Sequence, residues 1–286
     1  MERGINTRCL HLEETEGKTD NYGALSYPIY QTATYAHAGV GKSTGYDYSR
    51  LQNPTREQLE KVVASLEGGI DAFALSSGMA AITLLMEIFK PGDHIIAEAD
   101  LYGGSVRLFD NVSKKNRYEF TYLNCSRDDI EGAIKENTKA VYIEAPTNPM
   151  MNVSDISKIA EIAKRHGLYL IVDNTFLSPY FQNPLKLGAD IVIHSGTKFL
   201  GGHNDTLAGF IVTNNEEVQE KLRFIIKNVR SRARTVRLLA DLKRHQDSRN
   251  PHGAVPGECH QDRELAEGTA GCKTCILSGT SGTPGI

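Results

Sequence analysis

The sequence predicts an α/β fold, a mostly parallel sheet covered by helices on both faces. Apolar runs such as Leu168–Val172 and Ile191–Ile193 are continuous rather than alternating, as in strands buried on both sides. Amphipathic helical stretches separate these runs from about residue 53 to 228. The chain is 40% hydrophobic and 23% charged, enough apolar material for a core and enough charge to stay in solution.

Asn53-Pro54 opens a helix that places Leu59, Val62, Val63 and Leu66 on one face, and Gly68-Gly69 ends it. Ala72–Leu75 reads as a strand running into Ser76-Ser77-Gly78-Met79 and a helix from Ala80 to Phe89. His94–Ala97, Glu119–Leu123 and Ala140–Ile143 read as further strands. Ser154 to His166 spaces Ile156, Ile159 and Ile162 for one helical face, and Gly167 stops it. The strands Leu168–Val172 and Ile191–Ile193 follow.

Two segments depart from this pattern. Residues 1–52 read as an extended arm. Tyr22 to Arg50 has no period but holds Tyr22, Tyr27, Tyr30, Tyr35, Tyr46 and Tyr48, which need burial, a neighbouring subunit being one candidate. Residues 229–286 form a tail with no Phe or Tyr and a Gly/Ser/Thr/Pro-rich end, a composition that predicts disorder.

The formal net charge of −3 offers neither a basic surface for nucleic acid nor an acidic tail. No apolar run approaches membrane-span length, and Met1 to Cys9 lacks the apolar core of a secretory signal. Five cysteines (Cys9, Cys125, Cys259, Cys272, Cys275) read as reduced thiols in the cytoplasm.

The chemistry concentrates after the strand at 191–193, in Ser195-Gly196-Thr197-Lys198. Two hydroxyls suit a phosphate, and an adjacent amine suits an aldehyde. That adjacency fits pyridoxal 5′-phosphate (PLP), with Lys198 as its Schiff-base lysine. Asp173, in Val172-Asp173-Asn174-Thr175 at a strand's carboxyl end, is placed to keep a pyridine nitrogen protonated. Ser77-Gly78-Met79, between a strand and a helix, suits an anion at a helix N-terminus. Tyr102, before Gly103-Gly104, is an aromatic able to stack on the ring. Tyr48 and Arg50 form a pair suited to phosphate. Ser77-Gly78-Met79 lacks the G-x-G-x-x-G pattern of a dinucleotide site.

Together with Asn53-Pro54-Thr55, Glu144-Ala-Pro-Thr-Asn148-Pro149 and His203-Asn204-Asp205, these motifs resemble the Cys/Met-metabolism family of PLP enzymes over residues 4 to 228. The resemblance implies the aspartate aminotransferase-like fold type I, with a large PLP-binding domain at 53–228. It implies that Lys198 binds the cofactor and moves protons, and that Asp173, with Thr175 in the same motif, serves the pyridinium. Gly78, Met79, Ser195 and Thr197, with Ser77, are expected to hold the phosphate. Tyr102 is expected to stack and assist catalysis, and Asn148 to bond the 3′-oxygen. Tyr48 and Arg50 are expected to reach the adjacent subunit's phosphate in a homotetramer. The activity implied is γ-replacement on an O-acylhomoserine by cysteine, as in a cystathionine γ-synthase. The alternatives are elimination by a cystathionine γ- or β-lyase, or a defective fragment that at most binds PLP. Glycine at position 104 argues against a methionine γ-lyase, where cysteine is usual.

After Asn228 the resemblance stops, and the family's small C-terminal domain with its substrate-carboxylate arginine is not found. Codons consistent with Val236–His245, read one base later, can spell FDCWLTLRGI, which is similar to the family's continuation. A frameshift near residues 229–236 is therefore expected. Cys259-His260 with Cys272-x-x-Cys275 then has zinc-like spacing only by accident, and no metal is expected.

Overall fold

The computed structural model describes residues 27–228 together with Ile5 and Arg8. The expectations for the rest of the first 26 residues, for the 229–286 tail with its frameshift, and for Cys9, Cys259, Cys272 and Cys275 fall outside the described residues.

Seven strands make one sheet: β1 (Asp71–Leu75), β2 (His94–Glu98), β3 (Glu119–Leu123), β4 (Thr138–Glu144), β5 (Tyr169–Asp173), β6 (Ile191–Ser195) and β7 (Gly209–Thr213). Their order is β1-β7-β6-β5-β4-β2-β3. The β2–β3, β2–β4, β4–β5 and β5–β6 pairs are parallel, and β7 alone runs antiparallel to its neighbours β1 and β6. The helices are α1 (Pro54–Glu67), α2 (Gly78–Met86), α3 (Gly103–Asn111), α4 (Ile156–Arg165), α5 (Ser178–Phe181) and α6 (Glu216–Asn228).

The apolar side chains of the sheet divide into two cores. Leu59 and Val63 of α1 and Ile156 and Ile159 of α4 pack on one face with Val141, Leu170 and Val192. Ile82 of α2, Phe109 of α3 and Leu222 of α6 pack on the other with Tyr142, Ile171 and Ile193. Alternate residues of one strand thus serve opposite cores, so the strand runs lack polar positions.

The local signals act as the sequence predicts, with shifted ends. The Asn53 side chain accepts from the Thr55 and Arg56 amides, Pro54 takes the first turn, and Gly68 closes α1 at φ 77°. The helix expected over Ala80 to Phe89 begins at Gly78, because the Ser77 hydroxyl accepts from the Ala80 amide. It ends at Met86, where the next amides bond three residues back in a tighter turn. The arm over 27–52 is non-helical and folds back on α1. Tyr30 N donates to the Thr55 hydroxyl, and Tyr46 Oη donates to Glu57 at 2.6 Å.

Candidate active site

The carboxyl ends of β1, β2, β4, β5 and β6 point to one edge of the sheet, where open α/β sheets bind ligands. Asp173 ends β5 and is buried at 8% exposure. Its Oδ1 accepts from the Thr175 hydroxyl at 2.5 Å and the Thr175 amide at 3.1 Å. The Thr175 hydroxyl oxygen in turn accepts from the Ser195 amide at 2.8 Å. This chain ties the ends of two adjacent strands together.

Ser195 begins a tight turn. Lys198 N donates to Ser195 O at 3.2 Å, and the Gly201 and Gly202 amides return to Lys198 O. A Cβ at Gly201 would lie 2.4 Å from Gly196 O, so the turn closes only over glycine. The Thr197 hydroxyl accepts from the Ala208 amide at 3.4 Å, while the Lys198 side chain stands exposed.

The phosphate candidates meet this turn directly. A Cβ at Gly78 would lie 2.9 Å from Ser195 Cβ, so the start of α2 packs on Ser195 with only glycine between. Its first-turn amides have no partners within the helix and point out of its N-terminus. A Cβ at Gly104 would lie 2.3 Å from a carbon of the Tyr102 ring and 2.9 Å from the Met79 sulfur. Tyr102 and Met79 therefore meet over a glycine, which gives the absent side chain at position 104 a steric reason.

One residue without an assigned role closes the circuit. Glu144 ends β4 as the register partner of Asp173, and its Oε2 accepts from the Tyr102 amide at 2.8 Å. Burial, then the neighbouring Asp173 charge, push the Glu144 carboxyl up to about 8. Burial likewise raises Asp173, against the lowering effect of the Thr175 hydrogen bonds. Contacts thus run from Asp173 through Thr175, Ser195, Gly78, Met79, Tyr102 and Glu144 back to Asp173.

PLP fits this arrangement. Asp173 Oδ2 has no hydrogen bond among the described residues, so a buried carboxyl keeps one oxygen for a protonated ring nitrogen. The close glycine contact sets the N-terminal amides of α2 beside Ser195, a donor set that suits a phosphate.

Ser77, Thr197 and Lys198 adjoin this circuit in the α2 cap and the Ser195 turn, whereas three expected residues belong to neither. Asn148 is exposed and has no hydrogen bond among the described residues. Its loop is held from below by Asp100, which accepts from the Thr147 hydroxyl, from Met150 N at 3.0 Å and from Asn152 at 3.4 Å. Arg50 donates to Lys227 O at 2.9 Å and lies over the Tyr48 ring at 5.3 Å; neither residue bonds Ser77, Ser195 or Thr197. The sequence signal for Glu144 was its place in the Glu144–Pro149 motif, but its role depends on register with a strand that follows α4.

The sequence profile described as Cys/Met metabolism PLP-dependent enzyme matches residues 6–253. A cystathionine gamma-lyase of Bacillus subtilis is 52% identical over 204 residues, 71% of this chain and 54% of that protein. A cystathionine gamma-synthase/O-acetylhomoserine (thiol)-lyase of the same organism is 54% identical over 201 residues, 70% of this chain and 54% of that protein. The crystal structure of cystathionine gamma-lyase from Lactobacillus plantarum complexed with L-serine superposes with a TM-score of 0.82 at 38% identity, covering 86% of this chain and 64% of that one. The chain spans about half the length of the curated relatives it matches.

Proposed function

Because this chain belongs to the Cys/Met metabolism family of PLP-dependent enzymes, we propose that it serves transsulfuration, joining the γ-carbon of an O-acylhomoserine to the sulfur of cysteine as the Cγ–O bond breaks and the acyl group leaves as a carboxylate with the thiol proton released. One observation supports this site reading above the others: the Asp173–Thr175–Ser195 hydrogen bonds, which bring the ring-nitrogen carboxylate and the Lys198 turn to one small space. PLP, when bound, supplies an electron sink for charge developing at the substrate Cα. Asp173 keeps the ring nitrogen protonated, and burial favours that pairing over water. The α2 N-terminus with Ser77, Gly78, Met79, Ser195 and Thr197 holds the phosphate, while Tyr102 covers the ring and Asn148 bonds its 3′-oxygen. Lys198 takes and returns the proton at Cα, and its exposed side chain is free to move between positions. Tyr48 and Arg50, which do not engage this chain's phosphate residues, reach the site of an adjacent subunit within a cytoplasmic homotetramer.

The nearly equal identity to a γ-lyase and a γ-synthase favours a second reading, elimination from cystathionine. Purified chain loaded with PLP separates them. Cystathionine made from O-acetyl- or O-succinylhomoserine and cysteine supports replacement, and ammonia with a keto acid released from cystathionine supports elimination. A visible cofactor band without either product leaves a chain that only binds PLP and ends the enzymatic reading.

A further inference from the structure

Glu67 closes α1, and its side chain is fully buried. Three donors from two other segments converge on it. His194 Nε2 lies 2.5 Å from Oε1, Asn174 Nδ2 donates to the same oxygen at 2.9 Å, and Asn183 Nδ2 donates to Oε2 at 3.4 Å. The Asn174 oxygen accepts from Gln182 at 2.9 Å, so the amide orientation is fixed at both ends.

Two of these donors are next to site residues. Asn174 directly follows Asp173, and its amide bonds Ile193 O at 2.9 Å. His194 directly precedes Ser195. Strand alternation sends His194 to the α1 face of the sheet and Ser195 to the opposite face. One carboxyl under the sheet thus grips the residues beside both ends of the Asp173–Thr175–Ser195 chain.

The arrangement is a poor way to gain stability alone. His194 Nδ1 is buried with no partner, an orphaned polar atom beside a buried acid. Apolar residues of similar volume commonly serve a core as well or better. A network kept despite that cost points to geometry rather than cohesion.

We propose that Glu67 is a positioning residue that, through Asn174 and His194, sets the distance between the Asp173 carboxylate and the Ser195–Lys198 turn, and with it the affinity for PLP. The inference rests on the reading that Asp173 and Lys198 share one cofactor. It concerns a residue that touches neither cofactor nor substrate.

The test is a double-mutant cycle on the full chain, read as the PLP dissociation constant from the visible absorbance titration of cofactor-free protein. Glu67→Gln keeps the volume and one acceptor but turns an amide toward a donor. It is expected to weaken PLP binding about tenfold, the loss of one hydrogen bond to a charged group. In the Asp173→Asn background the same change is expected to cost under about threefold, because a neutral amide at 173 that cannot pair with a protonated ring nitrogen gains little from placement. A purely structural Glu67 gives the full loss in both backgrounds, and that additivity overturns the proposal, as does wild-type affinity in Glu67→Gln. If Glu67→Gln does not fold, Asn174→Ala leaves the Glu67–His194 contact in place and carries the same two expectations. Lys198→Ala separates the premises. A covalent visible band that survives in it removes the site reading and this inference together. Its disappearance alongside wild-type affinity in Glu67→Gln removes this inference alone.

Discussion

The two halves of the site edge are built differently. On the β5–β6 side, Asp173, Thr175 and Ser195 are joined by hydrogen bonds of 2.5 to 3.1 Å and anchored from beneath by Glu67. On the β2–β4 side, Tyr102 is 46% exposed, Asn148 is exposed, and the loops are held beneath them, by Glu144 at the Tyr102 amide and by Asp100 at the Thr147 hydroxyl, Met150 N and Asn152. The half proposed to meet the ring nitrogen is preorganised, and the half proposed to face the ring and substrate is open. Groups that must meet a fixed charge are set in advance, while groups that must admit and release ligands keep their side chains free.

Breaking the rigid half should have the largest effect. Asp173→Asn removes the charge proposed to meet the ring nitrogen and is expected to cost about 2–3 kcal/mol of cofactor binding, read as a roughly 30- to 150-fold rise in the PLP dissociation constant. Gly78→Ala inserts a Cβ 2.9 Å from Ser195 Cβ and should lower stability by about 1–3 kcal/mol in denaturant titration, with weaker binding of phosphate-bearing cofactor.

The boundary between the halves is Glu144, and its effect depends on pH. Its folded-state value of about 8 lies above the ordinary 4.5, so the folded chain holds a proton that the unfolded chain releases between those values. The resulting stability is full below pH 4.5 and is lost as pH rises toward 8. Glu144→Gln should flatten that decline and stabilise the cofactor-free protein by on the order of 1–2 kcal/mol near the alkaline end. Thermal melts across this pH range measure it, and parallel curves for the two proteins would show the carboxyl is not held protonated. The smallest effect belongs to the open half. Tyr102→Phe keeps the stacking face and should change PLP affinity by less than about threefold, since a ring contact depends little on the hydroxyl.

Local chemistry made much of this legible in the sequence. Short β-rich runs marked six of the strands; most are apolar throughout because they are buried on both faces, while the partly exposed edge strand β3 keeps Glu119 and Thr121, and Asn53, Pro54 and Gly68 bound α1 at its caps. The carboxylate, hydroxyls and lysine of the rigid half lie at strand ends, where short motifs mark them. The antiparallel β7 and the helices α3 and α6 had no comparable punctuation. Glu67 with His194, and Glu144 with Asp173, were illegible because their meanings arise from register and from partners far apart in the chain. Tyr48 and Arg50 show the converse: a clear motif whose residues form no hydrogen bond to Ser77, Ser195 or Thr197 of their own chain.

Reduction of the PLP-loaded chain with borohydride, followed by peptide mass mapping, tests the central claim most directly. A single phosphopyridoxyl adduct is expected on the peptide containing Lys198, lost in Lys198→Ala and formed far more weakly in Asp173→Asn. An adduct on any other lysine, or one indifferent to Asp173, would contradict the claim.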